Sequence, residues 1–98
     1  MTINKTLNEK ALTIAISGRL DTTTAPDLDN ELKASTDGIE SLTFDFAELE
    51  YISSAGLRVL LSAQKTMNKQ GKMVIKNANE NIQDIFEVTG FVDILTIE

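Results

Sequence analysis

The stretch Tyr51-Ile52-Ser53-Ser54-Ala55-Gly56-Leu57-Arg58-Val59-Leu60-Leu61 sets two adjacent hydroxyls where a buried stretch gives way to an amphipathic helix. A helix start offers free backbone N–H groups and the positive end of the helix dipole. Such a place welcomes a serine side chain as a cap, and it also welcomes a phosphate. From these residues alone, a plain N-cap at Ser53 or Ser54 is the commoner arrangement. Phosphorylation is the sharper one. A capping box is absent, because Gly56 and Leu57 stand where Glu or Gln would be expected. Ala55-Gly56 leaves the helix start uncrowded, which would let a partner's backbone approach closely.

Working outward, the hydrophobic period changes several times. Upstream, Leu42-Thr43-Phe44-Asp45-Phe46 alternates and reads as a strand, with Ala47 to Ile52 as a connector. Downstream, Leu57, Leu60, Leu61 and Met67 recur at helical spacing to about Gln70, and Gly71 reads as the stop. Lys72 to Lys76, centred on Met73-Val74-Ile75, is a further buried strand. Asn79 or Asn81 can cap a short helix through Thr89 that ends at Gly90, and Phe91 to Ile97 supplies a last strand. Nearer the N-terminus, Ile3 to Thr6 is a short edge strand, and Ala11 to Ser17 alternates as a longer one. Thr22-Thr23-Thr24-Ala25-Pro26-Asp27 carries hydroxyl caps, a first-turn Pro and acids, so it opens a helix that ends near Asp37-Gly38. The second half thus reads strand–helix–strand–helix–strand, which implies parallel strands joined by right-handed crossovers.

Composition bounds the function. Ninety-eight residues with 42% hydrophobic content allow one domain, residues 1–98, with a core of its own. There is no cysteine and no histidine. That removes thiolate and imidazole metal sites, the usual neutral-pH general base and Ser-His-Asp chemistry. No Gly-rich phosphate loop is present, and Ile52-Ser53-Ser54-Ala55-Gly56 lacks the first glycine of a nucleophile elbow. No enzyme, catalytic residue, metal or cofactor is expected. The net charge is −6 and the nine cations are scattered, so no direct nucleic-acid binding is expected. No apolar run approaches the ~20 residues of a membrane helix, so no membrane insertion and a cytoplasmic location are expected. Asp21 and Asp45 each lie near a strand end. Turn formation or capping suits them better than paired-carboxylate chemistry. Arg19 and Arg58 read as surface charge rather than a phosphate-binding pair.

Four pieces carry a family resemblance: Gly18-Arg19-Leu20-Asp21, Phe44-Asp45-Phe46, Tyr51 through Leu57, and Thr89-Gly90-Phe91. Together they resemble the STAS domain over nearly the whole chain, and within it the bacterial anti-sigma-factor antagonists. The resemblance implies an α/β fold: a mixed, mostly parallel sheet of about five strands with helices packed against it and a C-terminal helix short or absent. It implies a binding protein that engages an anti-sigma factor/serine kinase and so releases a sigma factor. It also implies serine phosphorylation that ends the interaction, and a PP2C-type serine phosphatase that restores it. The family's acceptor lies two residues before the glycine, which is Ser54 here, with Ser53 as the alternative; the usual Asp before the acceptor is replaced by Ser53. The implied partner-binding residues are Asp21, Thr22, Ser53, Ser54, Ala55, Gly56, Leu57 and Arg58. The resemblance also admits a second role, as a non-phosphorylated interaction subunit of a lipid-transport or stress-signalling complex.

Overall fold

A computed structural model describes residues 1–98. The elements run β1 (Thr2–Asn8), β2 (Ala11–Leu20), α1 (Ala25–Ser35), β3 (Ser41–Ile52), α2 (Ser54–Asn68), β4 (Lys72–Lys76) and α3 (Glu80–Thr89). The strands form one sheet in the order β1-β2-β3-β4. The β1–β2 pair is antiparallel, while β2–β3 and β3–β4 are parallel. Because the parallel strands advance steadily in one direction, right-handed crossovers put α1 and α2 on the same face of the sheet. Leu12, Ile14 and Ile16 of β2, Leu42, Phe44 and Phe46 of β3, and Met73 and Ile75 of β4 point to that face. They join Leu28 and Leu32 of α1, Leu57, Leu60 and Met67 of α2, and Ile82 and Phe86 of α3 in one cluster of 24 buried residues. Thr13, Ala15, Thr43, Asp45 and Val74 alternate onto the other face and are only half-buried.

Side-chain caps fix the starts of α2 and α3, whereas the hydroxyl cap expected for α1 is not made: Thr24 stands at its N-cap without a side-chain cap bond, its hydroxyl being bonded to the Arg19 carbonyl and the Asp21 N–H instead. Pro26 and Asp27 sit in the first turn of α1, as their preferences dictate. Ser53 caps α2 by accepting from the Gly56 N–H at 3.4 Å, and Asn79 caps α3 by accepting from the Ile82 N–H at 2.9 Å. Gly90 closes α3 in the left-handed conformation at φ 80°.

Four readings from the sequence are revised. The edge strand β1 is longer than Ile3–Thr6, because Glu9-Lys10 makes a tight hairpin that pairs Asn8 with Ala11. Its Lys5 reaches α1, bonding Glu31 at 2.7 Å and Ser35 at 3.0 Å, and so ties the open edge to the helix layer. The expected connector Ala47–Ile52 is the second half of β3. Its alternation is hidden because the register with β2 shifts twice, from Ala15↔Asp45 to Ser17↔Glu48 and again between Gly18 and Arg19, so that Phe46, Leu49 and Ile52 turn inward three residues apart. The expected fifth strand is reduced to a single bridge, Ile75↔Ile97. Phe91–Asp93 forms a 3₁₀ turn, with Phe91 half-buried, Asp93 exposed and Leu95 buried. Helical structure at this end is accordingly short. Finally, Gly71 is not a left-handed helix stop. It is required because a Cβ there would lie 1.9 Å from the Glu40 carbonyl oxygen, where β4 begins to pair with β3.

Asp45 has a structural task. Its carboxylate accepts from the Asn77 side chain at 3.0 Å and from the Ala47 N–H at 3.0 Å, bracing the β3 bulge against the loop after β4. These bonds hold its pKa below the ordinary 3.8, the Asn77 bond most, with Lys76 nearby adding to the effect. A carboxyl whose folded pKa is depressed contributes stability above its unfolded pKa, and that contribution is lost as pH falls through the folded value.

Two outcomes follow from this packing. Gly71→Ala forces the Glu40 backbone to move and lowers unfolding stability by about 2–3 kcal/mol in urea titration. Asp45→Asn flattens the loss of stability below about pH 4, measured as the difference in urea midpoint between pH 7 and pH 3. An unchanged difference would mean that the bracing bonds are not formed.

Candidate functional site

The junction between β3 and α2 lies at the C-terminal ends of the parallel strands, where open α/β sheets place their sites. Leu20 at the end of β2 pairs with Ile52 at the end of β3, and the Ser53 N–H donates to the Leu20 carbonyl at 2.9 Å. The chain then turns directly into α2. The two serines separate here. Ser53 is half-buried, its hydroxyl is the cap, and its carbonyl accepts the first helical bond from the Leu57 N–H at 2.9 Å. Ser54 is the first helical residue, exposed, and takes no part in the cap. The first-turn N–H groups of Ser54 and Ala55 have no intrahelical acceptor and point out of the helix end.

Gly56 has a role other than admitting a partner. It is buried, and a Cβ there would lie 2.8 Å from both Leu20 Cγ and Ile52 Cγ1. Its bare backbone lets α2 seat against the sheet. Leu57 is buried as well. Of the eight residues expected to meet a partner, Gly56 and Leu57 therefore build the platform. Thr22, Ser54 and Arg58 are exposed, while Asp21, Ser53 and Ala55 are half-buried.

Asp21 organises the turn before α1. Its Oδ1 accepts from the Thr23 hydroxyl at 2.7 Å, the Thr23 N–H at 3.0 Å and the Thr24 N–H at 3.2 Å. Those bonds, led by the Thr23 hydroxyl, hold its pKa below the ordinary 3.8. The Thr24 hydroxyl accepts from the Asp21 N–H at 2.8 Å and donates to the Arg19 carbonyl at 2.9 Å, so the loop is pinned from both ends. Asp21 and Asp45 do not form a pair. Asp45 stands opposite Ala15, and Asp21 lies six residues farther on, just past the end of β2, about 20 Å away at strand rise.

Between the N-terminal turns of α1 and α2 runs an open groove of ≈ 390 Å³, lined by Thr22, Ala25, Pro26 and Asp29 on one side and by Ala55, Arg58 and Val59 on the other. Of this lining, Thr22, Ala55 and Arg58 are among the residues expected from the sequence to meet a partner, whereas Ala25, Pro26, Asp29 and Val59 are not. Their signal is helical spacing, since positions 22, 26 and 29 share a face of α1 with its entry turn and positions 55 and 59 share one of α2. Arg19 lies elsewhere. It pairs with Tyr51 across the strands on the face opposite the helices, its guanidinium carbon 4.3 Å from the ring centre, with Asp21 Oδ2 at 3.8 Å. Arg19 and Arg58 thus have separate surroundings and do not make a joint anion clamp. No helix of the chain is long and apolar enough to cross a membrane.

Comparison with known proteins agrees with this geometry. The STAS domain family model matches residues 2–98. The chain is 34% identical over 88 residues to BtrV of Bordetella bronchiseptica, named as an anti-sigma factor antagonist, covering 88% of this chain and 76% of that protein. It is 30% identical to the anti-sigma-B factor antagonist of Bacillus subtilis, covering 92% of this chain and 84% of that one. Among solved structures, an anti-sigma factor antagonist from Mycobacterium paratuberculosis shares the fold with a TM-score of 0.88 at 21% identity, covering 98% of this chain and 83% of that one. A mixed, mostly parallel sheet with a serine-capped, glycine-seated helix at the C-terminal ends of its parallel strands, a family match across the chain and relatives at this identity lead to one conclusion: the chain belongs to the STAS domain family of anti-sigma factor antagonists.

Proposed function

We propose that residues 1–98 act in the cytoplasm as one STAS module that binds an anti-sigma factor with serine kinase activity and so frees a sigma factor. The groove between the α1 and α2 N-termini, with Asp21, Thr22, Ser54, Ala55 and Arg58 on its rim, is the contact surface. Ser54 is the phosphoacceptor. The kinase moves the γ-phosphoryl group of ATP to Ser54 Oγ, releasing ADP and the hydroxyl proton. A PP2C-type serine phosphatase uses water to return the hydroxyl and release inorganic phosphate.

The observation that carries this reading is the division of labour between the serines. Ser53 spends its hydroxyl on the cap, and Ser54 presents an exposed one beside an open groove. The names of the relatives supply the partner class. Physics supplies the mode of switching. Phosphate adds about −1.5 to −2 charge. At a helix N-terminus that charge is favourable by about 0.3–1 kcal/mol, so modification leaves the fold standing and acts at the interface. Like charges set against each other across an interface cost several kcal/mol.

The expected results divide the two serines again. Ser54→Asp changes unfolding stability by less than about 0.5 kcal/mol and weakens binding to the cognate anti-sigma kinase by at least about tenfold, read by urea titration and calorimetry. A variant that unfolds, or one that binds as the parent does, sinks the switch. Ser53→Ala instead costs about 0.5–1 kcal/mol of stability and leaves the acceptor in place. Incubation with the kinase and ATP, followed by peptide mass spectrometry, places phosphate on Ser54 in the parent and in Ser53→Ala, and none in Ser54→Ala. A parent chain that gains no phosphate favours the non-phosphorylated interaction subunit.

A further inference from the structure

Ser54 and Arg58 stand four residues apart on α2, so their side chains rise from the same face with Cβ atoms about 5–6 Å apart. The acid-first, base-second order along a helix is the favourable orientation for such a pair. Arg58 is exposed and free of carboxylates: the ion pairs of the structure engage Lys5, Lys10, Arg19, Lys33 and Lys76. The one acid lining the groove, Asp29, is occupied by Lys33 at 2.9 Å. Among the groove-lining residues Arg58 is the one cation.

We propose that phosphate on Ser54 is held in cis by the Arg58 guanidinium, so that modification both adds negative charge to the groove rim and withdraws its one cation. This rests on the phosphoswitch reading and adds a second half to it. A guanidinium presents a planar fork of N–H donors that matches phosphate oxygens two at a time. The arrangement needs only a side-chain rotation, because the helix already holds both residues at the right spacing. The free N–H groups of Ser54 and Ala55 lie at the same helix end and face the same anion. Before modification, Arg58 is available to a carboxylate of the partner. Afterwards it is neutralised from within the chain.

The test reads the phosphate itself. Phosphoserine is installed at position 54 by genetic encoding, and its second ionisation is followed by ³¹P chemical shift against pH. Free phosphoserine titrates near pH 6. A cation held against the phosphate favours the dianion, so the midpoint lies lower in the parent and rises by about half a pH unit in Arg58→Gln. Arg58→Lys retains part of the depression, because charge remains and the fork is lost. Lys65→Gln, two turns farther along α2, leaves the midpoint in place. Two nearby carboxylates, Asp21 and Asp29, are the same in every variant, so their influence on the midpoint cancels in the comparison. Equal midpoints in the parent and Arg58→Gln overturn the proposal. Because the phosphate is placed without a kinase, the midpoint reports the pairing alone. A failure of the kinase to modify Ser54 is read separately by mass spectrometry, so a midpoint rise with no kinase modification would uphold the pairing and overturn the switch.

Discussion

The seating of α2 on the ends of β2 and β3 governs everything at the site. At Gly56 the helix backbone approaches Leu20 and Ile52 so closely that even a methyl group would overlap both at 2.8 Å. That contact fixes the rotation of the first helical turn. With Gly56 and Leu57 turned inward, 3.6-residue periodicity leaves Ser54 and Arg58 facing outward together. A side chain at position 56 would lift or roll the helix start. It would then disturb the cap at Ser53, the exposure of Ser54 and the width of the groove against α1 at once. The glycine therefore matters through packing, and its influence on any partner is indirect.

A helix end that already needs a cap is a low-cost place for a phosphate. Ser53 satisfies the Gly56 N–H and leaves those of Ser54 and Ala55 pointing outward. An anion introduced there meets unfilled donors and a favourable dipole instead of a desolvated core. Adding about −1.5 to −2 charge in the middle of a helix or on its C-terminal turn would oppose the fold. For the proposed modification of Ser54, the expectation is a fold that is indifferent or gains slightly. The consequence of modification is left to whatever lies outside the helix, which is the property an interface switch needs.

Much of this was legible in the residues. Alternation located β2 as far as Ser17 and the first half of β3, helical spacing located α1 and α2, and Asn79 or Asn81 with Gly90 marked the ends of α3, of which Asn79 is the cap. What escaped had specific physical causes. Two register shifts against β2 broke the period of β3 after Asp45, so that a strand looked like a connector. Phe91 and Leu95 stand four residues apart, a spacing that a strand and a helical turn share, so that a 3₁₀ turn looked like a strand. Gly71 read as a helix stop because the approach of the Glu40 carbonyl is a tertiary fact with no local signature. The same limit applied at the junction. Local sequence placed two hydroxyls at a helix start but did not say which one was the cap. That assignment depends on the exact residue at which the chain leaves the sheet, set by the Leu20–Ser53 backbone bond.

Net charge narrows how the site can work. The chain stands at −6 before any modification, and a further one or two negative charges alter its distant field little, since fields are screened beyond about 8–10 Å in physiological salt. A phosphate on Ser54 therefore acts through what lies within that radius. Asp21 is spent on the Thr23–Thr24 turn, Asp29 is held by Lys33, and Arg19 is engaged with Tyr51 on the opposite face of the sheet. Each of these charges is already committed to a structural partner. Arg58 is in no ion pair, one turn from Ser54 along α2 and the one cation on the wall of the groove. On the proposed switch, a partner that reads this surface reads the state of that guanidinium, and phosphate on Ser54 decides whether it is offered or withheld.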